Sequence, residues 1–274
     1  MKYFDAHAHY IGKRYSRDQH KLLLDMHKNK GVEYIVNSTS TLELDEGIEL
    51  ARKYDFVYLS IGDNCAYTAG PEGDKYMNEE MLAKMITLCQ QNKKIRAWGE
   101  IGIGLNREEH VKNNGKENQI YWLKRQLEAA TKVELPVVIH SRDACQLVFD
   151  ILKEADMPDY GYGKGMMHCY NSSPEMALDY VKMGYLISIT GIVTYKNAWH
   201  LVETVRKVPL DKLLIETDCP YLTPEPFRRE RNDSGMLKFV VEKIAEIKGV
   251  SPEEVAAATT SNAKAFFGVN PKFY

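Results

Sequence analysis

Eight short runs rich in β-branched and other apolar residues recur along the chain, and an amphipathic stretch separates most neighbours. The runs are Tyr3–His9, Tyr34–Thr39, Phe56–Gly62, Ile95–Ile103, Pro136–His140, Gly165–Cys169, Tyr185–Ile189 and Leu213–Asp218. Segments with apolar residues at helical spacing lie between them, among them Leu42–Tyr54, Tyr76–Lys94, Asn118–Pro136 and Asp143–Ala155. Two later segments open on Ser-Pro, at Ser173 and Ser251, the order in which a cap precedes a proline at the first helical position. Regular β–α alternation implies a parallel sheet. Eight such units in 274 residues imply a closed (β/α)₈ barrel, a TIM barrel, which needs about 250 residues. We therefore expect one domain over residues 1–274. An open doubly wound sheet is the alternative, and it is disfavoured because no Gly-rich phosphate loop follows the first strand.

The charge balance limits the partners. With 36 Lys and Arg against 38 Asp and Glu, the net charge is −2, so any attraction for a polyanion has to be local. No apolar run approaches the roughly 18 residues that a membrane helix needs, and no membrane partner is expected. The start, MKYFDAHAHY, lacks the apolar core of a signal peptide, and the five cysteines fit neither a disulfide framework nor a zinc ribbon. The expected compartment is the cytoplasm, and no obligate protein partner is evident.

Five of the strand ends carry groups that a packed core does not select. They are His7 and His9 in DAHAH, Glu100 in WGEIG, His140 in PVVIH, His168 in GMMH, and Glu216 with Asp218 in LLIETD. A lone strand His is ordinarily a satisfied core group. Convergence of such groups at the C-terminal mouth of a barrel, where these folds place their chemistry, implies a metal site. Imidazole with carboxylate suits zinc or manganese, and magnesium where carboxylate and water dominate. Four His and two acids exceed one tetrahedral site, whereas two cations sharing a carboxylate use them all. The expected ligands are His7, His9, Glu100, His140, His168 and Asp218, with Asp218 and Glu100 as catalytic residues and two divalent ions (Mg, Mn or Zn) as cofactors. Asp5 and Glu216, one layer lower, are expected to orient ligands or to pair in the core. Alternation along the strands is expected to turn Cys169 and Cys219 away from the site. His20, His27, His110 and His200 are expected to be solvated.

With these residues in place the chain resembles the TatD family of metal-dependent deoxyribonucleases. The carrying segments are DAHAH, WGEIG, PVVIHSRDA, MHCY, YLISITGIVTY, LLIETDCPYLTP, Arg231-Asn232 and NAKAFFG, in that order over nearly the whole chain. The resemblance implies a metallohydrolase barrel in which His7, His9, Glu100 and Asp218 hold one ion and Glu100, His140 and His168 the other. It also implies hydrolysis of phosphodiesters in DNA, in several members as exonucleases. Three places depart from the pattern: Ile103-Gly104-Leu105 after the Glu motif, without the acid of the common Gly-Leu-Asp, Asn64-Cys65 where His-Pro is common, and Asp233-Ser234 after Arg231-Asn232 where Glu-Pro is common.

DNA is the expected substrate. Arg142, Arg228, Arg229, Arg231 and Asn232 are the candidate phosphate contacts, and Tyr221 can stack on a base. Two other readings remain open. An amidohydrolase or lactonase acting on a small molecule shares His-x-His and the last-strand Asp, although Glu100 stands where that group often has a carbamylated Lys. A metal- or nucleic-acid-binding protein without turnover is the other.

Overall fold

The computed structural model describes residues 1–69, 76–160 and 163–269; the rest of the range expected for one domain lies outside them. The strands are β1 Tyr3–Ala8, β2 Val32–Thr39, β3 Val57–Ile61, β4 Ile95–Gly104, β5 Val137–Arg142, β6 Gly165–Met167, β7 Tyr185–Ile189 and β8 Leu213–Ile215. They are parallel and lie side by side in chain order. The last strand returns to the first: Asp218 N donates to His7 O (3.0 Å), and His9 N to Cys219 O (2.8 Å). The expected barrel is thus observed, nearly closed.

The helices are α1 Gln19–Asn29, α2 Leu44–Lys53, α3 Cys65–Thr68, α4 Glu79–Gln91, α5 Gly115–Lys132, α6 Cys145–Ala155, α7 Pro174–Lys182, α8 Trp199–Lys207, α9 Leu237–Lys248 and α10 Pro252–Phe266. Their starts follow the chemistry read from the sequence. Ser173 accepts from Met176 N and Ser251 from Glu254 N, each with Pro at the start of the helix. Each helix buries one stripe against the strands, as α2 does with Leu44, Gly47, Leu50 and Ala51.

The barrel interior is filled by one apolar cluster with members from all eight strands, including Phe4, Ala6, Val36, Tyr58, Ala97, Val138, Met166, Leu186 and Leu214. Phe266 and Phe267, at the end of α10, close its floor, with Phe267 stacked on Phe4 (centroids 5.5 Å apart). The mouth above this cluster is left to polar residues.

Two strands end two or more residues earlier than expected. β6 stops at Met167 and β8 at Ile215, because Cys169 (φ 45°) and Asp218 (φ 53°) take left-handed conformations that a ladder does not admit. One ladder-like bond continues beyond each end, from His168 N to Ile139 O (3.0 Å) and from Glu216 N to Ile189 O (3.1 Å).

Gly102 fixes the approach of β4 to β5. Its φ is +148°, and a Cβ there would lie 1.9 Å from His140 O. Gly102→Ala has to part the two strands that carry Glu100 and His140. We expect it to lower stability by at least about 3 kcal/mol, measured by denaturant unfolding. An unchanged midpoint and slope would show that the strands separate at no cost.

Candidate metal centre

His140, His168, Ser188 and Glu216 share strand parity with the barrel-filling Val138, Met166, Leu186 and Leu214, so plain alternation lifts them from the interior to the mouth. β1 and β4 do otherwise. Ala6 and Ala97 belong to the interior, yet the site residues are His7 and Glu100, of opposite parity. The pairing register shifts at these places, between Asp5 and Ala8 on β1 and between Trp98 and Ile101 on β4. Both irregularities re-aim the next side chain into the mouth.

The six expected ligands come together. His7 Nε2 lies 3.2 Å from His9 Nε2, 3.6 Å from Glu100 Oε2 and 3.8 Å from Asp218 Oδ1. His9 Nε2 is 3.2 Å from Asp218 Oδ1. On the other side, Glu100 Oε1 is 2.6 Å from His140 Nδ1 and 3.7 Å from His168 Nε2. A cation bound at about 2.0–2.2 Å spaces tetrahedral ligands roughly 3.3–3.6 Å apart, close to the His7–His9–Asp218–Glu100 separations. Two imidazole nitrogens facing each other cannot both carry a proton there. The donor set therefore fits a divalent metal, and the cluster is able to bind one.

Its charges are strongly coupled. Burial opposes ionisation of Glu100, but His168, His140 and His7 outweigh it and hold the carboxyl well below the usual range. Asp218 is also lowered: burial works against its charge, and His9 and His168 prevail. Burial works against protonation of His168, but Glu216 and Glu100 bring its pKa to about 9. His140 is likewise opposed by burial, and Cys65 and Glu100 bring it to about 10. His7, fully buried beside His168, is lowered by that burial first.

Behind the ligands, Glu216 Oε1 lies 2.8 Å from His168 Nδ1 and accepts from Cys169 N (2.6 Å), while Ser188 donates to Oε2 (2.7 Å). This carboxylate orients an imidazole, as expected. Asp5 does not. It accepts from Thr217 N, Thr217 Oγ1 and Ser234 Oγ (2.9, 2.6 and 2.6 Å) and so holds the backbone turn that carries Asp218. Cys219 is turned away among Tyr10, Tyr15 and Leu23. Cys169 is not: its left-handed turn breaks the alternation, and its Sγ stands close to His168 and Glu216. Burial, then Asp218 and Glu216, push its thiol well above the ordinary range, so it remains a neutral thiol. Of the four other His, His20, His27 and His200 are exposed and His110 is half-buried.

A cavity of about 990 Å³ opens over the cluster. Arg142 and Tyr221 line it, as do Lys13, Arg14 and Arg107, which carried no signal beyond their charge in the sequence. Arg228 and Arg229 line a separate depression formed by Glu225–Glu230, and the Arg228 guanidinium lies 4.0 Å over Tyr195. Arg231 is paired with Asp18 through two bonds (2.9 and 2.6 Å) and is not free for phosphate. Asn232 is fully buried and donates to the carbonyls of Thr217 and Tyr221.

Fold and site together define a metal-dependent hydrolase of the parallel-barrel class. The sequence profile described as TatD related DNase matches residues 4–268, and the chain belongs to the TatD family. It is 38% identical to the uncharacterized metal-dependent hydrolase YabD of Bacillus subtilis, over 97% of this chain and 99% of that one. It is 30% identical to the uncharacterized metal-dependent hydrolase TatD of Mycobacterium tuberculosis, over 97% of each. The crystal structure of YjjV, a TatD homolog from Escherichia coli, superposes with a TM-score of 0.87 at 25% identity, over 98% of each chain.

In metal-free protein at pH 7, His140 and His168 lie below their raised pKa values of about 10 and 9 and hold protons. Metal must displace these protons. Loading should therefore release roughly one to two protons at pH 7, and metal affinity should rise as pH rises toward 9. Titration calorimetry in buffers of different ionisation enthalpy reads this release. Loading without any would contradict the charge assignment.

Proposed function

We propose that this protein hydrolyses phosphodiester bonds in DNA with two divalent cations that share Glu100. The observation that carries the reading is the division of the Glu100 carboxylate: Oε2 faces His7, and Oε1 faces His140 and His168. His7, His9, Glu100 and Asp218 would hold one cation, and Glu100, His140 and His168 the other. Bound there, the pair would supply polarisation of a phosphoryl oxygen and a lowered pKa of water. Asp218 Oδ1 faces His7 and His9, which leaves Oδ2 to accept a proton. Arg142 stands beside the cluster to meet phosphate, and among the described residues no carboxylate is within ion-pair distance of it. DNA as the substrate is supported by the family description. The alternative of an amidohydrolase or lactonase has less support, because Glu100 holds the position where a bridging Lys is usual in that group.

The test is hydrolysis of labelled single- and double-stranded DNA by protein stripped with a chelator and then given magnesium, manganese or zinc. Activity should vanish on stripping and return with a divalent ion. Turnover of a lactone or amide with none of DNA would overturn the nuclease reading. Metal analysis tests the bridge separately. Glu100→Ala should deplete both sites and lower kcat/KM more than about 100-fold, whereas His168→Ala should empty mainly one. Two fully occupied sites in Glu100→Ala would exclude a shared carboxylate.

A further inference from the structure

We infer that Arg14 and Tyr221 form a nucleotide subsite beside the metal cluster, in which Tyr221 stacks on a base and Arg14 meets the adjoining phosphate. This rests on the phosphodiesterase reading for its place in the reaction, but not for its geometry.

The loop after β1 and the loop after β8 meet on the His9 side of the cavity. They are tied together by hydrogen bonds. Arg231 pairs with Asp18 and donates to Arg14 O (2.7 Å), and Tyr15 OH donates to Asn232 O (2.5 Å). Asn232 Nδ2 in turn donates to Tyr221 O (2.6 Å). The backbones of Arg14 and Tyr221 are thereby fixed, while their side chains extend into the cavity. The Arg14 guanidinium lies 5.1 Å from the Tyr221 ring centroid, and that ring lies 6.5 Å from the His9 imidazole. Arg231 and Asn232 thus act as positioning residues for this pair.

Three properties set the pair apart. The Tyr221 ring is 52% exposed beside the cluster, although an aromatic ring ordinarily gains by burial. Its hydroxyl has no hydrogen-bond partner among the described residues, and its ring meets the Arg14 guanidinium and, edge-on, the His9 imidazole. Among the same residues, no carboxylate is within ion-pair distance of Arg14, in contrast to Arg231. A half-exposed aromatic ring beside a guanidinium with no carboxylate partner among the described residues complements a ligand that is planar at one end and anionic at the other. A nucleotide has that form. Stacking on an aromatic side chain is tolerant of base identity, so the subsite should accept any of the four bases. The nearness of His9 assigns the base to the nucleoside next to the scissile phosphate.

The test compares binding of thymidine 5′-phosphate and 2-deoxyribose 5-phosphate to metal-loaded protein by calorimetry. Wild type should bind the nucleotide roughly 5- to 150-fold more tightly. Tyr221→Ala should abolish that preference without changing the affinity for the sugar phosphate, and Tyr221→Phe should keep it. Arg14→Ala should weaken both ligands alike. Metal content equal to wild type confirms that each variant is folded. Equal affinities in wild type, or a preference that survives Tyr221→Ala, would overturn the subsite. Oligonucleotide hydrolysis is scored separately. Hydrolysis by a protein that binds the nucleotide no more tightly than the sugar phosphate removes the subsite alone. A nucleotide preference that is lost in Tyr221→Ala, in a protein that cleaves no oligonucleotide, removes the nuclease reading and leaves the subsite standing.

Discussion

Glu100 is a carboxylate almost sealed from water, with the imidazoles of His7, His140 and His168 around it. An ionised group in such a place needs compensating positive charge, because losing a partner leaves a buried charge that costs about 3–5 kcal/mol. Protons on His140 and His168 supply that charge in the metal-free protein. A divalent cation would supply it without using ring protons and would leave the nitrogens as ligands. Much of the mouth follows from this need. β5 must come close to β4 for His140 Nδ1 to reach Glu100, and Gly102 admits the approach.

The opposite wall depends on a second buried carboxylate. Among the described residues Asp5 forms no ion pair, and burial brings its pKa to about 7 despite bonds from Ser234 and Thr217. Those bonds fasten the end of β8 to β1, where Asp218 must turn through a left-handed conformation to face His9. Tyr10 extends the network: its hydroxyl lies 2.8 Å from Ser234 Oγ and accepts from Ser234 N. Fixed ligands depend on supports of this kind, and here the support acts on backbone rather than on an imidazole ring.

The alternation of apolar runs and amphipathic stretches made the barrel legible, and polar residues at strand ends marked the cluster. Both signals are local. What escaped reading depended on irregular backbone or on loops distant in sequence. Strict alternation predicts the facing of His140 and His168, but not the parity changes that re-aim His7 and Glu100. It also misplaced Cys169, which lies in a turn beyond the last ladder residue. Arg231 and Asn232 read as phosphate contacts because charge and polarity show in a sequence. Their partners, Asp18 and Tyr15, lie more than 200 residues away. Conversely, Lys13 and Arg14 had no motif around them, and only the closing of β8 on β1 brings their loop to the mouth.

Two departures from the TatD pattern prove to be neighbours. At position 104 an added Cβ would lie 2.7 Å from the Cys65 sulfur and 3.5 Å from His140 Nε2. An acidic side chain there would therefore stand against the outer nitrogen of His140. This chain has Gly104 instead, and Cys65 fills the space, next to Asn64, whose side chain caps α3 by accepting from Ala66 N (2.9 Å). Position 104 and the Cys65 side chain thus share one packing site. Its consequence falls on the cluster, not on the substrate wall alone. His168 has Glu216 on its outer nitrogen, whereas among the described residues His140 has no second carboxylate. A carboxylate on the far side of an imidazole fixes the ring and raises its basicity. Of the two imidazoles on that side of Glu100, His168 thus has Glu216 behind it, and His140 has the space shared by Cys65 and Gly104.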